Sequence, residues 1–252
     1  MQETKTVKFT VKRQDEPDSK PYYDTFEVPY QDGMNVTTLL METKQFPTTC
    51  EGKATTPVSF ESGCLEEVCG SCTMIVNGKV RQACTALVDK LQQPIKLEPM
   101  SKFPVRRDLV VDRSNMFNAL KKVKAWIEID GVYDMGEGPK VYPHEQERNY
   151  VLSRCMTCGC CLEACPQWTN ELDFIGPQAI SQAVLFNSHP NGKSTKDDRT
   201  QALIDNGLNN CGNAQNCVQA CPKEIPLTDS IARANREATT YTIEKWLMDA
   251  AS

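Results

Sequence analysis

The residues whose type and spacing could do chemistry are cysteines, and they fall in three runs. Cys155-Met-Thr-Cys158-Gly-Cys-Cys161-Leu-Glu-Ala-Cys165-Pro166 has the spacing C-x2-C-x2-C-x3-C-P. In such a run three thiolates grip three irons of a cubane, while the fourth points away and ligates a second iron–sulfur cluster. One run therefore predicts two clusters. A second copy follows as Cys211-Gly-Asn-Ala214-Gln-Asn-Cys217-Val-Gln-Ala-Cys221-Pro222, with Ala214 where the frame asks for cysteine. Crossed ligation assigns Cys155, Cys158, Cys161 and Cys221 to a [4Fe–4S] cluster and leaves Cys165, Cys211 and Cys217 for the other. A methyl group cannot ligate iron. The expected second cluster is [3Fe–4S], with the corner facing Ala214 empty rather than filled by water, hydroxide or a distant residue.

The third run, Cys64-Leu-Glu-Glu-Val-Cys69-Gly-Ser-Cys72 with Cys84 further on, has the C-x4-C-x2-C…C spacing of plant-type ferredoxins and predicts a [2Fe–2S] site. Gly63 and Gly70 punctuate its loop and let backbone N–H groups turn toward the sulfurs. These assignments use all thirteen cysteines except Cys50 and Cys160. Cys160 is out of frame, since choosing it over Cys161 breaks the two-residue spacing, and it is read as a bystander. Cys50 has no partner at ligand spacing and is read as a plain thiol. Structural zinc is the rival reading of four-cysteine sites, but zinc pairs two knuckles, whereas here a run of three cysteines precedes Cys165-Pro166 and the plant-type run has a four-residue gap.

The elements that must position these loops follow from periodicity. Val7, Phe9 and Val11, then Phe26, Val28 and Tyr30, alternate as a β-hairpin with one buried face. Asn35 caps a helix through Leu39, Leu40 and Met41 that Pro47 stops. Thr73–Val76 and Lys79–Ala83 are joined by Asn77-Gly78, a strong hairpin signal, and Ile95 and Leu97 add a closing strand. A small α+β domain over residues 1–105 results. Residues 106–252 read as helical: Ser114 caps a pattern of Phe117, Leu120, Val123 and Ile127, and a glycine- and proline-rich loop spans Asp130 to Pro143. A terminal helix from Thr228 carries Ile231, Ala234, Ala238, Ile243, Trp246 and Leu247, whose apolar stripe is expected to pack against the core.

A net charge of −5 over 252 residues, with no clustered basic tract, argues against a nucleic-acid surface. The many thiols, and an N-terminus without an apolar signal region, fit a reducing compartment. The longest uncharged stretch, Phe174 to Gly192, is broken by Pro177, His189 and Pro190 and is not a membrane span. Membrane contact is expected through a partner.

Together the plant-type motif and the two crossed Cys-Pro motifs resemble the iron–sulfur subunits of succinate dehydrogenase and fumarate reductase. Phe103-Pro-Val-Arg-Arg-Asp-Leu-Val-Val-Asp112 is similar to that family's interdomain segment, and Phe174-Ile-Gly-Pro177 and Cys221-Pro-Lys223 to further signatures. A non-cysteine at the position of Ala214 is itself a family trait. The resemblance implies a plant-type ferredoxin (β-grasp) domain followed by a helical, bacterial-ferredoxin-like two-cluster domain. It implies a chain without a dicarboxylate site or catalytic residue of its own. Electrons would pass from an FAD-containing flavoprotein through the [2Fe–2S], [4Fe–4S] and [3Fe–4S] clusters to quinone at a membrane anchor, the chain lying peripherally on the cytoplasmic face. Pro166, Trp168, Gly212 and Ala214 are the quinone-proximal candidates. Gly212, where many ubiquinone-linked relatives carry histidine, and the short Pro166-Gln-Trp168-Thr-Asn170 segment look like the menaquinone branch, whose anchor is a dihaem cytochrome b. A free ferredoxin, or the cluster subunit of another membrane dehydrogenase, is the competing reading. The non-cluster segments speak against the first and the plant-type domain against the second.

Overall fold

The structure, a computed structural model, describes residues 5–128, 140–169, 171 and 173–251. Two compact units emerge: Met1–Arg113 with Met156–Glu163, and Ser114–Cys155 with Ala164–Ser252.

In the first unit the alternating segments pair as expected. Strand β1 (Thr6–Arg13) runs antiparallel to β2 (Tyr22–Pro29), with Val7 opposite Val28 and Phe9 opposite Phe26. The two phenylalanine rings stack at 5.5 Å. Helix α1 (Val36–Gln45) begins at Asn35, whose side chain accepts the Thr38 N–H at 3.0 Å. It lays Val36, Leu39 and Leu40 on the sheet, all fully buried, the contribution of each large side chain being on the order of 1.5–3 kcal/mol. Strands β3 (Thr73–Val76) and β4 (Lys79–Gln82) turn through Asn77 and Gly78, both at positive φ, as a two-residue Asn-Gly turn requires. Strand β5 (Ile95–Glu98) lies parallel to β1 and antiparallel to β3, giving the order β2-β1-β5-β3-β4. This mixed sheet with one long helix across it is the expected β-grasp arrangement.

Periodicity gives no sign of the short hairpin of β6 (Val105–Arg107) and β7 (Val110–Val111). Asp108, at φ 47° between them, is fully buried. It accepts from Arg13 Nε at 2.8 Å and from the backbone N–H of Ser59 at 2.8 Å and Gln14 at 3.2 Å. Arg13, also fully buried, reaches Asp24 at 3.0 Å. Burial opposes the Arg13 charge, but the hydrogen bond and charge of Asp108 outweigh it, and the pKa is raised. The segment after the sheet is thus fastened to the first strand by ionic hydrogen bonds.

The second unit is helical. It holds α2 (Ser114–Lys122), α3 (Pro143–Ser153), α5 (Pro177–Ser188), α6 (Lys196–Asp205), the short α7 (Asn216–Gln219) and α8 (Leu227–Ala251); α4 (Cys160–Ala164) runs out of the 156–163 segment. Helix α5, buried along most of its length, packs against α3, α6 and α8. Two expectations need correcting. Helix α2 stops at Lys122 rather than continuing to Ile127, because Lys124 turns to φ 47° and Arg199 draws the Lys124 and Trp126 carbonyls into hydrogen bonds of 2.9 and 3.0 Å. It buries Met116 and leaves Phe117 exposed. The stripe of α8 is buried only through Ala238, whereas Ile243, Trp246 and Leu247 are 53–66 % exposed. The cause is length: twenty-five residues of α8 outrun the twelve of α5 and ten of α6 that it packs against. Most of the Asp130–Pro143 loop lies outside the described residues.

Candidate iron–sulfur centres

The four cysteines of the plant-type run converge in the first unit. Cys64 and Cys69 sit in the loop before β3, Cys72 immediately precedes β3, and Cys84 lies in the turn after β4. The Cys64 sulfur accepts three backbone N–H groups, from Glu66 at 3.3 Å, Val68 at 3.2 Å and Cys69 at 3.3 Å, and the Cys69 sulfur accepts the Cys64 N–H at 3.4 Å. Leu65 and Glu67 adopt left-handed φ to aim these amides inward. Such strain persists where the surrounding structure holds it for function. Backbone donation from Cys64, with further bonds from Ser71, brings the Cys69 thiol down to about 6. Burial and the Cys72 sulfur push Cys84 up to about 11. The loop is thus built to hold negative sulfur, the state in which thiolates bind iron.

Gly70 serves a separate purpose. A Cβ there would lie 2.7 Å from the Cα and Cβ of Cys158, and its φ of +70° suits glycine. The peptide after Cys69 therefore packs directly on the Cys158 backbone. Cys158, Cys160 and Cys161 are all buried in this unit. Of the remaining [4Fe–4S] candidates, Cys155 follows α3 and Cys221 follows α7, both in the second unit.

The three cysteines left by the crossed frame also meet. Cys165, Cys211 and Cys217 line one cavity of the second unit together with Ala214 and Pro166, and no lysine or arginine lines it. Burial, and the facing Cys165 and Cys211, push the Cys217 thiol up to about 11. Burial disfavours a charged sulfur at Cys217, and bound iron would supply the positive charge that the lining lacks. Asn213 and Gln215, at φ 53° and 62°, hold the loop on either side of Ala214.

The other quinone-proximal candidates are placed differently. Gly212 abuts Gln167, whose Nε2 would lie 2.7 Å from a Cβ at position 212. Gln167 lines the three-thiol cavity, and nothing in the motif spacing singles it out. Trp168 is buried beside a separate polar cavity of about 250 Å³ lined by Asn115, Asn118, Lys122 and Asn206. Cys50 is exposed.

The description "2Fe-2S iron-sulfur cluster binding domain" matches residues 8–118, and "4Fe-4S dicluster domain" matches residues 151–225. Over 238 residues, 94 % of each chain, the sequence is 56 % identical to the succinate dehydrogenase iron-sulfur subunit of Bacillus subtilis. The chain belongs to the succinate dehydrogenase and fumarate reductase iron–sulfur subunit family. It is 30 % identical to the fumarate reductase iron-sulfur subunit of Escherichia coli, over 95 % of this chain and 96 % of that one. A chain of the Mycobacterium smegmatis Sdh1 complex in the apo form shares the fold, at 23 % identity and a TM-score of 0.74 over 94 % of this chain and 97 % of that one. Membership makes the chain the electron-transfer subunit of a succinate dehydrogenase, with [2Fe–2S] and [4Fe–4S] chemistry in its two halves.

Proposed function

We propose that this subunit passes single electrons from an FAD-containing flavoprotein to quinone, menaquinone in the first instance, at a membrane anchor that is a dihaem cytochrome b. In this reading residues 1–105 form the [2Fe–2S] domain, with Cys64, Cys69, Cys72 and Cys84 as ligands. Residues 106–252 form the two-cluster domain, in which Cys155, Cys158, Cys161 and Cys221 hold [4Fe–4S] and Cys165, Cys211 and Cys217 hold [3Fe–4S]. When bound, such clusters supply one-electron storage between a two-electron flavin and a quinone.

The chain's own residues set ligand geometry and local charge. The backbone donors at Cys64 offset negative sulfur. The cavity of Cys165, Cys211 and Cys217, with the Ala214 methyl where a fourth thiol would stand, is the observation that carries the three-iron assignment. Pro166 and Ala214 line that cavity, Gly212 lies against it through Gln167, and Trp168 stands nearby in sequence; these four are the quinone-proximal set. No helix among the described residues is long and apolar enough to cross a membrane, which accords with peripheral attachment through the anchor, on the cytoplasmic face. Succinate oxidation is the favoured direction.

Electron paramagnetic resonance on the anaerobically purified complex tests the whole scheme. The expected result is about nine irons per chain, with an oxidised [3Fe–4S] signal that succinate bleaches as a reduced [2Fe–2S] signal appears. An oxidised complex without signal, indifferent to succinate, overturns it.

A further inference from the structure

The loop of the plant-type run inverts the usual order of inside and outside. Leu65 is 48 % exposed and Val68 60 %, while the charged Glu67 between them is half-buried. Apolar side chains ordinarily take the buried places and carboxylates the wet ones. Glu67 also stands at φ 56°, a left-handed conformation that glycine adopts freely and a glutamate does not. Backbone preference and solvation both speak against a glutamate here, so the side chain is kept for what it touches.

Its Oε1 accepts from Thr85 Oγ1 at 2.7 Å. Thr85 ends the short turn Ala83–Thr85 and directly follows Cys84. The bond therefore spans the site, from the loop between Cys64 and Cys69 to the turn that carries Cys84, all within the first unit. Among the described residues no ion pair neutralises the carboxylate: Arg81, on β4, donates instead to the Thr85 carbonyl at 3.4 Å. A negative charge is thus fixed beside cysteines whose iron-binding form is itself negative. Holding the fold together does not call for that repulsion.

We propose that Glu67 tunes the [2Fe–2S] cluster to a lower reduction potential, with Thr85 as the positioning residue that holds its carboxylate beside the cluster. Reduction adds one negative charge to the cluster, and a neighbouring negative charge makes that step harder. The backbone donors to the Cys64 sulfur act in the opposite sense. Released from Thr85, the carboxylate swings into water, where its field is screened. The proposal rests on Cys64, Cys69, Cys72 and Cys84 being the [2Fe–2S] ligands.

The test is a redox titration of the purified complex, each cluster followed by its paramagnetic resonance signal, alongside an iron count. Glu67→Gln keeps an oxygen for Thr85 and loses only the charge; it raises the [2Fe–2S] midpoint at an unchanged iron count and moves the other clusters less. Glu67→Gly, which suits the backbone, raises the same midpoint. Thr85→Val raises it as well, and Thr85→Ser, which restores the O–H donor, brings it back toward that of the unmodified complex, a pattern that a merely structural role does not produce. An unshifted or lowered [2Fe–2S] midpoint in Glu67→Gln, or loss of the cluster in both Glu67 variants, overturns the proposal. A [2Fe–2S] signal that survives Cys84→Ala instead brings down the ligand set beneath it.

Discussion

At the scale of single residues, the proposed three-iron assignment turns on Ala214. Its neighbours Asn213 and Gln215 hold the loop in left-handed conformations, and its methyl lines the cavity of Cys165, Cys211 and Cys217. Ala214→Cys supplies the missing thiol. The expected outcome is loss of the oxidised three-iron signal and a gain of about one iron per chain, read by paramagnetic resonance and iron analysis; unchanged spectra count against the ligand frame. Thiol acidity gives a second prediction. In the cluster-free chain Cys69 lies at about 6 rather than the ordinary 9.0, because backbone donation from Cys64 and bonds from Ser71 favour the thiolate. A lowered pKa stabilises the fold through the charged form, so that contribution is complete above about pH 9 and fades as the pH falls through 6. Alkylation followed by mass spectrometry should label Cys69 with a midpoint near pH 6, while Cys84 and Cys217, pushed up by burial, stay protected until about 11.

At the scale of elements, the hairpin β6–β7 is fastened to β1 by Arg13, Asp24 and Asp108 rather than by apolar burial. Removing one member leaves the others as uncompensated buried charges, which costs about 3–5 kcal/mol. Arg13→Ala should therefore lower the denaturant midpoint of the first unit strongly, whereas Arg106→Ala, on an exposed side chain, should shift it by less than about 1 kcal/mol. The strands and α1 were legible because period-two alternation, an asparagine cap and Asn-Gly each report on backbone within a few residues. The Arg13 cluster was not, because its acceptors lie 11 and 95 positions away in sequence. The end of α2 was hidden for a similar reason: Arg199, more than seventy residues on, captures the carbonyls of Lys124 and Trp126 just beyond it.

At the scale of the molecule, α8 separates burial from composition. Its first half holds Ile231 and Ala234 in the core, and residues 242–251 are exposed throughout. Truncation after Tyr241 should shift Tm by less than about 2 °C in thermal unfolding, while Ile231→Ala should cost about 2–5 kcal/mol. A large loss on truncation would mean that the overhanging turns carry stability in the chain itself.

The α+β architecture and the presence of [2Fe–2S] and [4Fe–4S] chemistry were set by the sequence alone, because iron ligation demands cysteines at short, rigid spacings that can be counted along a chain. Tertiary structure decided what spacing cannot reach. It drew Cys84 to the Cys64 loop across a hairpin, and it closed the backbone of Gly70 onto Cys158. It also turned Cys160 from a cysteine out of frame into a buried thiol bonded to Gln82. Those relations depend on which surfaces meet after folding, and hydrogen-bond partners 78 residues apart leave no periodicity for a reader of the chain to find.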